Sequence, residues 1–293
     1  MDSTPITCRS WLTVPAHDEA LIASALGVRS HAVVLDLAGC NDMQRPVARR
    51  LTTEWLGAHR MQVLESRSMA RWVRISAMNA GRHWREDLLA VIPAAPDGIV
   101  LPGAEGPDQV RQLAAELYEI EQQNGLVANS TRLLPVVGGT AASALQIRRF
   151  VEDGHQRIIG LSWNPAALAA SLGASRHASV TGKWTDVSSH VRAELLLTAH
   201  ACGIAAIDAV QQPADKLAQL EKQARITADE GFTGLMLDDS AQVALVNSAF
   251  AERDQARDEL APVVEKKLAV ARRQSPFGER EERGKTAPVL RPA

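Results

Sequence analysis

Three ionisable residues stand inside otherwise apolar stretches: Asp36 in Ala32–Leu37, Arg74 in Trp72–Ser76 and Asp208 in Ala205–Val210. A charge in such a setting needs a partner or a ligand, because burying it alone is costly. A guanidinium is a planar fork of N–H donors that matches a carboxylate. Arg74 can therefore bind an anionic substrate or close an ion pair with Asp36. Asp36 and Asp208 can in turn contact a ligand, or orient Arg74 and backbone donors.

Other residues carry weaker signals. Gly138-Gly139-Thr140 precedes a helical pattern, where backbone N–H groups can cradle an anion. A tight turn explains the same glycines. Asp238 and Asp239, with Asp208 or Glu105, can form an acidic metal centre or remain solvated loop acids. The six lysines are Lys183, Lys216, Lys222, Lys266, Lys267 and Lys285, and none falls on an apolar strand-like run. An imine-forming lysine needs a buried, desolvated position, so that mechanism is disfavoured. His17 can serve as a loop acid or base, or stand at the surface. Cys40 can act as a nucleophile, but the sequence identifies no histidine partner for it.

These residues must be positioned by a repeated strand–helix pattern. Short apolar runs at Ser10–Val14, Ala32–Leu37, Trp72–Ser76, Gly98–Leu101, Leu133–Val137, Ile158–Trp163, Ala205–Val210 and Leu235–Asp238 predict eight strands. Helical periodicity predicts His17–Leu26, Gln44–Ala58, Trp84–Val91, Pro107–Gln123, Ala141–Glu152, Pro165–Leu172, Asp186–Cys202, Ala214–Asp229 and Ala241–Phe250. Continuous apolar strands suit a parallel sheet covered on both faces. Eight such units favour closure into a (β/α)8 barrel over residues 1–250, with an open doubly wound sheet as the alternative. A C-terminal helix is expected within 251–274 (Asp254–Arg273), and 275–293 reads as a flexible or partner-docked tail.

Bulk composition narrows the class. Net charge is −2 and the sequence pI about 6.5, which gives no electrostatic basis for binding nucleic acid or an anionic membrane. Cys8, Cys40 and Cys202 are widely spaced and contain no C-x-x-C pair, arguing against a disulfide framework or zinc site. No signal peptide or membrane span is read, and a reducing cytoplasm fits.

Several blocks in order resemble the HpcH/HpaI aldolase and citrate lyase beta subunit family. They are Arg9-Ser10-Trp11-Leu12-x-Val14-Pro15, Ala32–Leu37, Trp72-Val73-Arg74-Ile75, Gly98–Pro102, Ala166–Gly173, the long segment His190–Cys202 followed by Ala206–Val210, and Gly231–Phe250. The likeness runs to about residue 250. It implies a (β/α)8 barrel, a homo-oligomer, and metal-dependent carbon–carbon lyase activity on acyl-CoA or oxo- and hydroxy-acid substrates. Arg74 matches the arginine that binds a substrate carboxylate in the family.

The family holds Mg2+ with two carboxylates, a glutamate after strand five and an aspartate after strand six. The matching positions here are Gly139 and Ala167. Ala38-Gly39, Gly103, Asp239-Ser240 and Thr286 also replace family residues. A hard cation needs oxygen ligands, so loss of both anions predicts that Mg2+ is not retained. The resemblance with these substitutions implies a catalytically degenerate, ligand-binding or accessory protein. Arg74, Asp36, Asp208, Gly138 and Gly139 are its candidate contacts to a small carboxylate or CoA thioester. Two alternatives stand beside it: an active lyase with a relocated centre at Asp208, Asp238, Asp239 and Arg74, and a purely structural subunit whose barrel mouth is filled by side chains.

Overall fold

Runs such as Ala-Val-Val-Leu-Asp and Gly-Ile-Val-Leu are apolar at successive positions, so they need cover on both faces. A parallel sheet under a helix layer provides it. The computed structural model describes residues 8–59, 69–179, 181–211 and 216–274. Its strands are β1 (Ser10–Pro15), β2 (Ala32–Asp36), β3 (Ala70–Arg74), β4 (Gly98–Leu101), β5 (Arg132–Val137), β6 (Gly160–Trp163), β7 (Ala205–Ala209) and β8 (Gly234–Leu237). They form a closed parallel barrel in sequence order. Ser10, Trp11 and Leu12 pair with Leu235, Met236 and Leu237 to close it.

The eight predicted strands are the eight observed, with shifted ends. β3 starts at Ala70 and finishes at Arg74, so Arg74 is the last residue of its strand. The helices that bear on the site are α1 (Glu19–Ala25), α2 (Arg45–Ala58), α3 (His83–Val91) and α4 (Pro107–Gln123). The single helix predicted over 141–152 is instead α5 (Ala141–Ala144), a 3-10 turn at Ile147–Arg149, and α6 (Phe150–Asp153). Next come α7 (Pro165–Ser171), α8 (Asp186–Ala201) and α9 (Leu217–Asp229).

The last two predicted helices are one continuous helix, α10 (Val243–Gln274). Ala251, Glu252 and Arg253 lie between them and contain no breaker. Residues to Phe250 form one compact unit, and a second begins at Ala251. The predicted tail at 275–293, including Thr286, lies outside the described residues. No described helix is long and apolar enough to cross a membrane.

The core has two layers. Trp11, Val34, Trp72, Val100, Leu134 and Ile207 pack together inside the barrel. Val33, Leu35, Val73, Ile99, Leu133 and Leu161 face the helices with Leu56, Leu88, Leu117 and Leu195. The Trp11 and Trp72 rings meet edge to face, with centroids 5.0 Å apart. Gly98 makes room for Trp72, since a Cβ at that position would lie 2.3 Å from the indole.

Ion pairs secure the N-terminal ends of the strands. Arg157 binds Glu121 through two 2.7 Å hydrogen bonds, with both side chains fully buried. Burial alone pushes the Glu121 carboxyl up. The Arg157 pair and donors from Thr131 and Asn129 outweigh it and hold the group below its usual value. Arg71 donates to the Leu56 and Ala95 carbonyls and pairs with Asp97.

Gly98→Ala tests the interior packing. Overpacking against Trp72 is expected to destabilise the protein by roughly 1–3 kcal/mol, read from urea unfolding; an unchanged midpoint would contradict that packing.

Candidate ligand site at the barrel mouth

Successive strand residues point to opposite faces. Val34 and Trp72 face the barrel interior, so Asp36 and Arg74, each two residues further on, share that side at the C-terminal mouth. They are register partners on adjacent strands. Arg74 Nε and Nη2 donate to Asp36 Oδ1 and Oδ2 at 2.7 and 2.5 Å. Asp36 Oδ1 also accepts from the backbone N–H groups of Ala38 and Gly39 at 2.9 and 3.4 Å. Arg74 retains 31% side-chain exposure against 10% for Asp36. Asp36 thus engages the Nε/Nη2 edge of the guanidinium. The Nη1/Nη2 edge has no bond to another described residue.

Around this pair the loops are tied down by polar groups. Ser76 N and Oγ donate to the buried Asp87 at 2.9 and 2.7 Å. Asp87 also accepts from Arg49 Nε at 2.8 Å, and Arg45 donates to Ser76 Oγ at 2.6 Å. This network joins α2 and α3 to the segment leaving β3.

The structure supplies the partner that sequence reasoning did not find for Cys40. His17 Nδ1 lies 3.7 Å from its Sγ, bringing the loops after β1 and β2 together. Cys40 is buried, and burial first, then the Asp36 carboxylate, pushes its thiol up. Both effects disfavour an activated thiolate at this position.

Asp208 is not brought to the mouth. Ile207 faces the barrel interior, so Asp208 faces the helix layer, where it is fully buried. Its Oδ1 accepts from Trp163 Nε1 at 2.8 Å. Its Oδ2 accepts from Arg192 Nε at 2.8 Å and Thr227 Oγ1 at 3.0 Å. Arg192 also pairs with Glu230 and lies 4.4 Å over the Phe232 ring. Sequence reasoning missed Arg192. Its signal was a place beside Val191 and one turn before Leu195 on the buried face of α8.

The two glycines have different settings. Gly138 adopts a φ of 67°, and a Cβ there would meet Val191 Cγ1 at 2.7 Å, so the turn itself demands glycine. Gly139 has no such demand. A Cβ at Gly139 would sit 3.6 Å from the Cβ of Ala167, so these two positions face one another across the ends of β5 and β6.

Nearby side-chain oxygens are committed. Thr140 Oγ1 accepts from Ser143 N, and Asn164 Oδ1 accepts from Ala167 N, each capping the helix that follows. Asp238 is exposed, and Asp239 caps its own turn through Ala241 N. Glu105 is exposed and accepts from Asn79. Among the described residues no three His, Cys, Asp or Glu side chains converge as a metal-holding group. A six-oxygen ion such as Mg2+ does not fit these donors. The acidic centre built from Asp208, Asp238 and Asp239 is likewise not assembled, because strand parity sends Asp208 away from the others.

Fold and site together define a parallel (β/α)8 barrel with an Arg74–Asp36 pair at its C-terminal mouth, where such barrels carry their sites. The HpcH/HpaI aldolase/citrate lyase family model matches residues 9–240, and the chain belongs to that family. It is 27% identical over 270 residues to citrate lyase subunit beta of Escherichia coli K12, covering 91% of this chain and 84% of the relative. It is 26% identical over 254 residues to mouse mitochondrial citramalyl-CoA lyase, covering 83% and 71% of the two chains. The solved structure of protein CitE from Mycobacterium tuberculosis with magnesium and acetate superposes with a TM-score of 0.68 at 27% identity, covering 83% of this chain and 90% of that one.

Asp208→Asn leaves Arg192 partly unpaired within the helix layer. It is expected to lower unfolding free energy by about 3–5 kcal/mol, as for other broken buried pairs. Urea unfolding measures this, and a loss below about 1 kcal/mol, typical of surface pairs, would contradict the assignment.

Proposed function

We propose that this chain is a carboxylate-binding member of its family that has lost metal-dependent carbon–carbon cleavage. The facing of Gly139 and Ala167 carries this reading. At the family's two metal-carboxylate positions the side chains are a hydrogen atom and a methyl group. Asp36, the inward-facing acid at the end of β2, is paired with Arg74. A metal in such a lyase polarises the substrate oxygen and stabilises the developing enolate. The residues present offer no alternative electrophile at that place, and no cleavage step is assigned to them.

Binding chemistry survives the substitutions. The Nη1/Nη2 edge of Arg74 can receive a second carboxylate while Asp36 holds the Nε/Nη2 edge and fixes the fork. The solved structures of protein CitE from M. tuberculosis include one with magnesium, acetoacetate and coenzyme A, of TM-score 0.65 and 26% identity, and another with magnesium and pyruvate. These relatives support a small oxo-acid or a CoA thioester as the ligand class. Asp36 is a positioning residue in this reading, and the Gly138-Gly139 turn forms a wall of the site. Asp208 falls outside it. An accessory role within a homo-oligomer, or beside an active relative, accords with binding without turnover.

Isothermal titration and a turnover assay test the proposal. Pyruvate is expected to bind without added Mg2+, and Arg74→Ala to weaken it roughly tenfold or more, the loss of a charge-assisted pair. Wild-type protein should not bind Mg2+ stoichiometrically, whereas the double variant Gly139→Glu/Ala167→Asp should. Stoichiometric Mg2+ on the wild type, with cleavage of a 3-hydroxyacyl-CoA, would falsify the reading.

A further inference from the structure

A cavity of about 740 Å³ lies outside the barrel, bounded by α8, α9 and the segment Thr181–Trp184. Its volume is in the range of small-molecule sites. It is separate from the mouth: its lining includes Arg192, which binds Asp208 on the helix side of β7. Gln211 ties the covering segment to the end of β7, its amide donating to Gly182 O and accepting from Trp184 Nε1.

The lining divides into two kinds of surface. Trp184, Leu196 and Ile226 supply apolar area, and Ile226 is 46% exposed despite its type. Lys183 and Lys222 supply charge, and both are exposed. Among the described residues, neither ammonium has a carboxylate within ion-pair distance. By contrast, Arg192 is held by Asp208 and Glu230. The charged lining residues are Arg192, Glu230, Lys183 and Lys222, two net positive charges, and Asp208 behind Arg192 offsets one of them. Two of the chain's six lysines thus border one cavity, without an acidic partner among the described residues.

We infer that this cavity is a second ligand site, for an organic anion with a planar apolar body. The anionic group lies against Lys183 and Lys222, and the ring system lies on Trp184 and Ile226. Charge and apolar contact act together, so neither an inorganic anion nor a neutral ring satisfies the site. The inference does not depend on what binds at Arg74.

The aromatic sulfonate 8-anilinonaphthalene-1-sulfonate is a suitable probe, read by its fluorescence on the full chain. One saturable site per chain is expected. The variant Lys183→Glu/Lys222→Glu should weaken binding at least tenfold, with an unchanged circular dichroism spectrum because both side chains are exposed. Ala193→Trp, which places a large ring on the exposed α8 residue lining the cavity, should abolish it. Arg74→Ala should leave it intact. The uncharged analogue N-phenyl-1-naphthylamine should bind at least tenfold more weakly. Unchanged affinity in the lysine variant, equal affinity for the neutral analogue, or loss of the site in Arg74→Ala would each overturn the inference.

Discussion

In a closed barrel every strand side chain must face either the interior or the helices, and one residue separates the two fates. Asp36 and Arg74 fall on the inner side at the mouth, where solvent reaches part of the guanidinium. Asp208 falls on the outer side, where no solvent reaches it. There the protein itself must neutralise the charge, which explains the donors from Arg192, Trp163 and Thr227 gathered on one carboxylate. Parity alone therefore separates Asp208 from Asp36 and Arg74, although all three stand in similar apolar runs.

Parity also shapes the electrostatics of the mouth. The inward acid, Asp36, comes with its own cation on the neighbouring strand. A net-neutral pair can orient a ligand carboxylate through unused N–H donors, but it cannot replace two anions in holding a divalent ion. The same carboxylate acts on Cys40. Its negative charge, added to burial, disfavours a second anion nearby and keeps the sulfur protonated despite a histidine within reach. Both effects disfavour further negative charge on the mouth's own side chains.

The barrel was legible because its strands are short apolar runs at repeated spacing and its helices begin at marked positions, such as Pro107 and Pro165. The Arg74–Asp36 pair was legible as one of two readings. The direction of Asp208 was not: Ala-Ala-Ile-Asp-Ala is small or apolar on both faces, so no alternation marks the inner one. The Cys40–His17 contact joins residues 23 apart on consecutive strand-to-helix loops, and only the barrel order makes those loops neighbours. The last two predicted helices are one, because Ala251, Glu252 and Arg253 between them give the backbone no reason to stop. The facing of Gly139 and Ala167 was implied by resemblance alone, since neither residue carries a chemical signal.

The contacts that stabilise the barrel lie apart from the loops of its mouth. Arg157–Glu121 and Arg71–Asp97 serve the N-terminal ends of the strands, and Trp11, Trp72 and Gly98 fill the interior. None of these involves Ala38, Gly103, Gly139 or Ala167, which sit in the loops and first helical turn beyond the C-terminal ends. Substitution at such a place opens no void in the packed core. Gly138, by contrast, cannot drift, because its positive φ and the approach of Val191 bind it to the fold. Neighbouring residues in one turn are therefore under different constraints, one set by backbone geometry and the other only by chemistry. That separation allows the barrel to identify the family while the loops decide what the protein does.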